Sequence, residues 1–337
     1  MTETFVTYSV LAVYSAMAVY TLAFVLFTVD LARRSAAEPA TASVRVARAA
    51  ASPTARTADA TASSVTGSRG PGGTAVLEKT DAPPAATPKT PRYLRAAMAL
   101  TYLAWALHVT AAILRGLAAG RVPWANMFEF TLTATAIIIG VFLLVQLWQD
   151  LRFLGVFISG FVLIALGVAT VNYYVDVVPL VPALQSAWLV IHVFVATLGT
   201  GFFALGAGLS VAQLLQERRA AGKLDRLRFL DTLPAPEKLE NMAYRLIVVG
   251  FVFWTFTLIA GAVWAERAWG RYWGWDTKEV WTFIIWTIFA GYIHARATRG
   301  WRGSRSAWLA IIGFSAVVFN FTIVNLFFKG LHAYSGL

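Results

Sequence analysis

Residues 127–148 read MFEFTLTATAIIIGVFLLVQLW, with a single charged side chain, Glu129, near the start. A helix needs about 20 apolar residues to cross a ~30 Å hydrocarbon core. Lipid offers the backbone no other partner, so a run of this length must satisfy its N–H and C=O groups within its own helix. The stretch therefore predicts a transmembrane helix. Seven further runs of the same character lie outward from it, at about 6–28, 97–115, 153–171, 188–213, 245–265, 281–297 and 307–328. Together they predict an all-α, polytopic integral membrane protein with about eight spans. Composition agrees. The 337 residues are 58% hydrophobic and 13% charged, against about 25% charged in soluble domains.

The first run is not expected to be a cleaved signal peptide. Its flank, Met1 to Phe5, is acidic, and Arg33 and Arg34 follow the apolar stretch rather than precede it. Residues 1–30 are thus expected to remain as an anchor. Residues 31–95 are rich in Ala, Thr, Ser and Pro and nearly free of aromatics, which predicts a disordered linker. Residues 96–337 form the expected transmembrane bundle.

A net charge of +11 raises the question of nucleic acid, but the basic residues sit in loops and no nucleic-acid module is present. Lys and Arg are retained on the cytoplasmic side of membrane proteins. The linker carries ten Lys and Arg against four Asp and Glu, the 214–244 stretch holds Arg218, Arg219, Lys223, Arg226, Arg228 and Lys238, and the 296–305 loop holds four arginines. Residues 172–187 hold no basic residue. Eight spans then place both termini and the 116–126, 172–187 and 266–280 loops outside the cytoplasmic membrane. There is no cysteine, which excludes disulfides and any thiol chemistry by this chain.

Four histidines fall into two groups on this topology. His192 lies at the outer end of the fifth span and His332 just beyond the eighth. His108 lies about 11 residues from the inner end of its span, roughly 16 Å, and His294 about 14 residues from the outer end of its span, roughly 20 Å. A single helical histidine is most often a packed residue with one hydrogen bond. Ionisable groups inside spans are costly and mark function more often. Paired neutral imidazoles in a helix bundle are natural axial ligands for haem iron. Zinc would favour a compact set with thiolate or carboxylate, and the spans offer little besides Glu129.

Residues 264–286, WAERAWGRYWGWDTKEVWTFIIW, hold six of the thirteen tryptophans. An interfacial aromatic belt accounts for Trp264, Trp281 and Trp286. Trp269, Trp273 and Trp275 crowd a glycine-bearing loop beside Asp276, Lys278 and Glu279, which suits a platform for a planar amphipathic ligand such as a porphyrin. Its propionates would seek Arg267, Arg271 or Lys278.

WGRYWGWDTKEVW resembles the WWD signature of haem-handling membrane proteins. Together with ALHVTAAILRGLAAGRVPWANMFEF, PALQSAWLVIHV, YIHARATRGWRG and GLHAYSG, it makes residues 97–337 resemble the CcsA/ResC type of system II cytochrome c biogenesis, called CcsB in some actinobacteria. The resemblance implies that His192 and His332 ligate an external haem b carried as substrate, with Trp269, Trp273, Trp275, Asp276 and Trp281 around it. It implies that His108 and His294 ligate haem arriving from the cytoplasmic side. It further implies delivery of haem to apocytochrome c for thioether attachment at CxxCH, a ResB-type membrane subunit completing a haem lyase complex, and thiol-disulfide reductants. Thr277 departs from the family pattern, where proline is common. The Pro123, Asn126 and Glu129 cluster also follows the pattern and is expected to shape the loop before the third span. The rival reading from the residues is a b-type electron-transfer subunit with two bis-histidine haems. A transporter using the histidines as proton relays is a further alternative.

Overall fold

In the computed structural model the chain is helical, and no strand occurs among the described residues. The structure describes residues 2–50, 91–178, 185–298, 300–328 and 330–332, with the backbone alone over 35–50. The helices are α1 (Thr2–Ala50), α2 (Arg92–Ala119), α3 (Met127–Val145), α4 (Gly155–Asn172), α5 (Ala187–Ala220), α6 (Pro236–Trp269), α7 (Thr277–Thr298), α8 (Ser304–Phe321) and the short α9 (Ile323–Phe327). α1 runs past the expected end of the anchor to Ala50, and α2 begins at Arg92. The rest of the expected linker, 51–90, lies outside the described residues.

Among the described residues, seven helical segments are long and apolar enough to cross a membrane. They coincide with seven of the eight expected spans. The eighth, over 281–297, lies in α7, which has 22 residues. Its tryptophans, Tyr292, His294 and Arg296 leave it less apolar than the rest.

Helix starts follow local chemistry. The Asn126 side chain accepts the Glu129 N–H at the head of α3 (2.9 Å), and Ser186 accepts the Trp188 N–H at the head of α5 (3.3 Å). Pro236 opens α6 at a position where its missing N–H is not needed.

α3 is the central helix: 72% of its membrane-length window is buried, against 28–50% for the others. It packs against α2, α4 and α5, while α1 lies along α2 and touches α4. α5 lies along α6 and reaches α3 and α8, and α7 packs on α6 and α8. α5 therefore joins two layers. One core gathers Tyr20, Ala104, Leu132, Ile158 and Leu205 from the first five helices. The other gathers Phe203, Ile247, Trp254 and Phe289, with the Phe203 and Phe289 rings stacked at 3.7 Å.

Tryptophan N–H groups lock neighbouring helices, a bond that contributes about 0.6 kcal/mol inside membranes. Trp105 Nε1 donates to the Ala136 carbonyl (2.8 Å), Trp254 Nε1 to the Thr282 carbonyl (3.1 Å) and Trp286 Nε1 to Thr255 Oγ1 (3.0 Å). Trp286, expected as a belt residue, thus ties α7 to α6. At the end of the bundle away from the tryptophan loop, Arg296 of α7 pairs with Glu240 of α6 (2.6 Å), which also accepts from the Gly303 N–H and the Ser306 hydroxyl of the α8 start.

Candidate functional site

α6 stops at Trp269, the chain turns through 270–276, and α7 starts at Thr277. The sequence DTKE encodes this start as a capping box. Asp276 accepts the Lys278 N–H (3.3 Å), while Glu279 accepts the N–H groups of Asp276 (3.0 Å) and Gly274 (2.8 Å). Arg271 pairs with Glu279 across the turn (3.3 Å). Thr277 takes the first helical position behind this cap.

Asp276 also faces the chain that returns after α9. Gly330 lies directly against its Oδ1, where a Cβ would collide. Past that glycine, Leu331 N–H donates to Oδ1 (3.0 Å) and His332 Nδ1–H donates to Oδ2 (2.8 Å). The His332 bond, with the two backbone N–H groups, holds the Asp276 carboxyl down at about 2, well below the ordinary carboxylate range.

His192 is positioned by α6. Its ring lies on Gly261, where a Cβ would come within 2.7 Å of Cε1, and its Nδ1–H donates to the Thr257 carbonyl (3.0 Å). A carboxylate or carbonyl can only accept, so both Nδ1 atoms carry the proton. In the neutral ring each Nε2 lone pair is left free for a metal. Carbonyl and carboxylate partners of this kind orient metal-ligating histidines and raise their basicity.

Trp264 joins the two imidazoles. It is stacked on His192 (centroids 6.0 Å, interplanar 17°) and edge-on to His332 (5.4 Å), so the two imidazole centroids lie at most 11.4 Å apart. Both histidines line one cavity of about 430 Å³ between α3, α4, α5, α6, α7 and α8. The volume lies in the range of small-molecule sites, about 300–1,000 Å³. Its walls are mainly apolar, with Lys278, Asn126, Asn320 and Asn325 among the polar residues.

The other expected site residues take different places. Trp273 lines the cavity. Trp275 stands edge-on to Trp273 at 5.8 Å, is 76% exposed and takes the left-handed backbone conformation (φ 61°). Trp269 packs edge-on to His332 (4.9 Å) and Trp264 (4.7 Å). Trp281 packs on Phe319 of α8 at 4.5 Å. The loop is therefore not one flat shelf: Trp269 supports a histidine, Trp281 braces a helix, and Trp273 and Trp275 stand at the edge. Of the three expected charge partners, Arg267 lies over the Trp188 ring (5.7 Å), Arg271 is paired with Glu279, and Lys278 faces the cavity.

The structure does not bring His108 and His294 together. His108 is fully buried where α2 packs on α1 and α3, with Nε2–H donating to the Leu132 carbonyl (2.9 Å) and Nδ1 3.4 Å from the Tyr20 hydroxyl. His294 lies on an exposed face of α7, whose packing partners are α6, α8 and α9. Neither residue lines the cavity.

Beside the cavity, Glu129 is fully buried between two arginines, Arg115 (3.0 Å) and Arg121 (2.6 Å). Arg115 also donates to the Val175 carbonyl (2.6 Å), so the group ties α2, α3 and the chain after α4. The expected shaping role of Asn126 and Glu129 has this physical form.

Several site residues escaped the sequence reading. Trp264, assigned to a belt, is the buried contact of both histidines. Gly261 and Thr257 lie three and seven residues before it, at helical spacing on the same α6 face, which was the available signal.

Residues 97–332 match the family model described as cytochrome C assembly protein. The chain is 34% identical over 252 residues to the cytochrome c biogenesis protein CcsA of Trieres chinensis, covering 66% of this chain and 81% of that one. It is 35% identical over 266 residues to CcsA of Synechococcus elongatus, covering 65% and 81%. Among solved structures, the cytochrome c haem lyase CcmF shares the fold at a TM-score of 0.62 and 15% identity, over 98% of this chain and 48% of that longer one. The chain belongs to the cytochrome c assembly protein family, as a member of the CcsA type.

Proposed function

We propose that this protein serves cytochrome c maturation by holding haem b in the cavity beneath the tryptophan loop, its iron between His192 and His332, and presenting it to apocytochrome c. The carrying observation is that the two imidazoles line one cavity with each Nδ1 already bonded, to Thr257 and to Asp276, which leaves both Nε2 atoms for iron. Two imidazoles fill both axial positions of a haem and leave none for oxygen, which suits carriage.

The distribution of Lys and Arg supports an extracytoplasmic side for the loop in this reading. There the thiols of a CxxCH motif add across the vinyl groups of the bound haem: each S–C bond forms as the thiol hydrogen passes to the neighbouring vinyl carbon. The thiols come from the substrate, since this chain has no cysteine. A ResB-type subunit and thiol reductants complete the system II assembly in this reading. His108 and His294 stand as inner haem contacts only if the His108 bonds to Leu132 and Tyr20 are first broken. That separation also counts against the electron-relay alternative, which needs a second bis-histidine haem at inner depth.

The test is haem content of the purified full chain by reduced-haem absorbance. His192→Ala and His332→Ala each lose haem and regain it with added imidazole. Unchanged haem in both variants would overturn the reading.

A further inference from the structure

The cavity contains an unmatched cationic corner. Lys278 points its ammonium to Asn325 Oδ1, a neutral acceptor, and no carboxylate lies within 4.0 Å of it among the described residues. The two nearest acids are engaged elsewhere. Asp276 is held by His332, Leu331 N–H and Lys278 N–H, and Glu279 by Arg271 and the loop N–H groups. Asn126 lines the same cavity at 4% exposure. Its Oδ1 is used by the Glu129 N–H, and its Nδ2 has no partner among the described residues. Buried donors are nearly always bonded, so an idle amide N–H on a residue that lines a cavity points to a ligand that completes it once that side chain turns to meet it. A half-buried ammonium whose bonded partner is a neutral amide, with no ion pair of its own, points to an anionic one.

We propose that Lys278 and Asn126 form a carboxylate-binding corner that orients the cavity's ligand. The ligand class is a planar macrocycle with acid groups on one edge. Resting on the proposed haem reading, the acid edge sits at Lys278 and Asn126. The corner is a positioning and specificity device distinct from the two imidazoles. It selects Lys278 over Arg267, which lies on Trp188, and over Arg271, which Glu279 occupies.

The experiment titrates the full-length protein with haem and with haem dimethyl ester, following the Soret band. A charge-assisted carboxylate bond predicts that wild type binds the free acid at least about tenfold more tightly than the diester. Lys278→Met brings the two to within about twofold by weakening the free acid alone, and Lys278→Arg keeps the preference. Asn126→Asp retains the helix cap but replaces the idle donor with an anion, and it also weakens the free acid selectively. Equal binding of both porphyrins by wild type, or equal weakening of both in Lys278→Met, overturns the corner while leaving the haem site intact. Binding of neither porphyrin by wild type overturns the haem reading itself.

Discussion

Replacing Asp276 with Asn removes a charge but keeps a cap. Asn serves as well as Asp at a helix N-cap, so α7 keeps its start, while the acceptor facing His332 Nδ1–H changes from carboxylate to amide. The bond at 2.8 Å is charge-assisted, and such bonds contribute about 1.5–3 kcal/mol against about 1 for a neutral one. Loss of an orienting partner behind a metal-ligating histidine lowers metal affinity about 10–100-fold. Asp276→Asn keeps an acceptor and gives up about 0.5–2 kcal/mol of that bond, so it is expected to weaken haem binding about 2–30-fold, short of the full loss, with near-normal helicity. The assay is Soret titration of the purified full chain, alongside far-UV circular dichroism and thermal unfolding. Asp276→Ala is expected to lose the cap as well, and to unfold more easily by about 1 kcal/mol. Wild-type affinity in Asp276→Asn, with binding lost in His332→Ala, would refute the orienting role.

The same carboxyl sets a pH dependence. Its folded value of about 2 lies below the ordinary value near 4, so the pairing stabilises the loop above about pH 4 and is lost as pH falls through about 2. Fluorescence of the packed tryptophans should follow this acid step in wild type, and a trace indistinguishable from Asp276→Asn would contradict it. Gly261→Ala places a methyl against the His192 ring and should lower haem occupancy at least tenfold with the fold retained, as read by absorbance and circular dichroism. Glu129→Gln leaves Arg115 and Arg121 without their shared anion, which should destabilise the protein by about 3–5 kcal/mol in chemical unfolding.

The spans were legible because length and apolarity alone decide whether a segment can cross a bilayer. α7 shows the limit of that signal, since its aromatic and polar residues serve contacts with α6 rather than lipid. His192 and His332 could be paired from sequence because each sits at the same end of its span, next to the same loop. His108 and His294 were matched by depth alone. Depth is one coordinate of three, and the helix order around the bundle places α2 against α1 and α3 while α7 sits with α6 and α8. The double duty of Asp276 was also hidden. The DTKE pattern reveals the cap, but nothing local shows that a chain more than fifty residues later folds back onto the same carboxylate.

The central claim is tested most directly by the structure of the full-length protein loaded with haem in a lipid environment. The account predicts a porphyrin in the cavity beneath the tryptophan loop, its iron bonded to Nε2 of both His192 and His332, with Nδ1 of His332 still on Asp276. Iron bound at any other pair of residues, with His192 and His332 unligated, would contradict it.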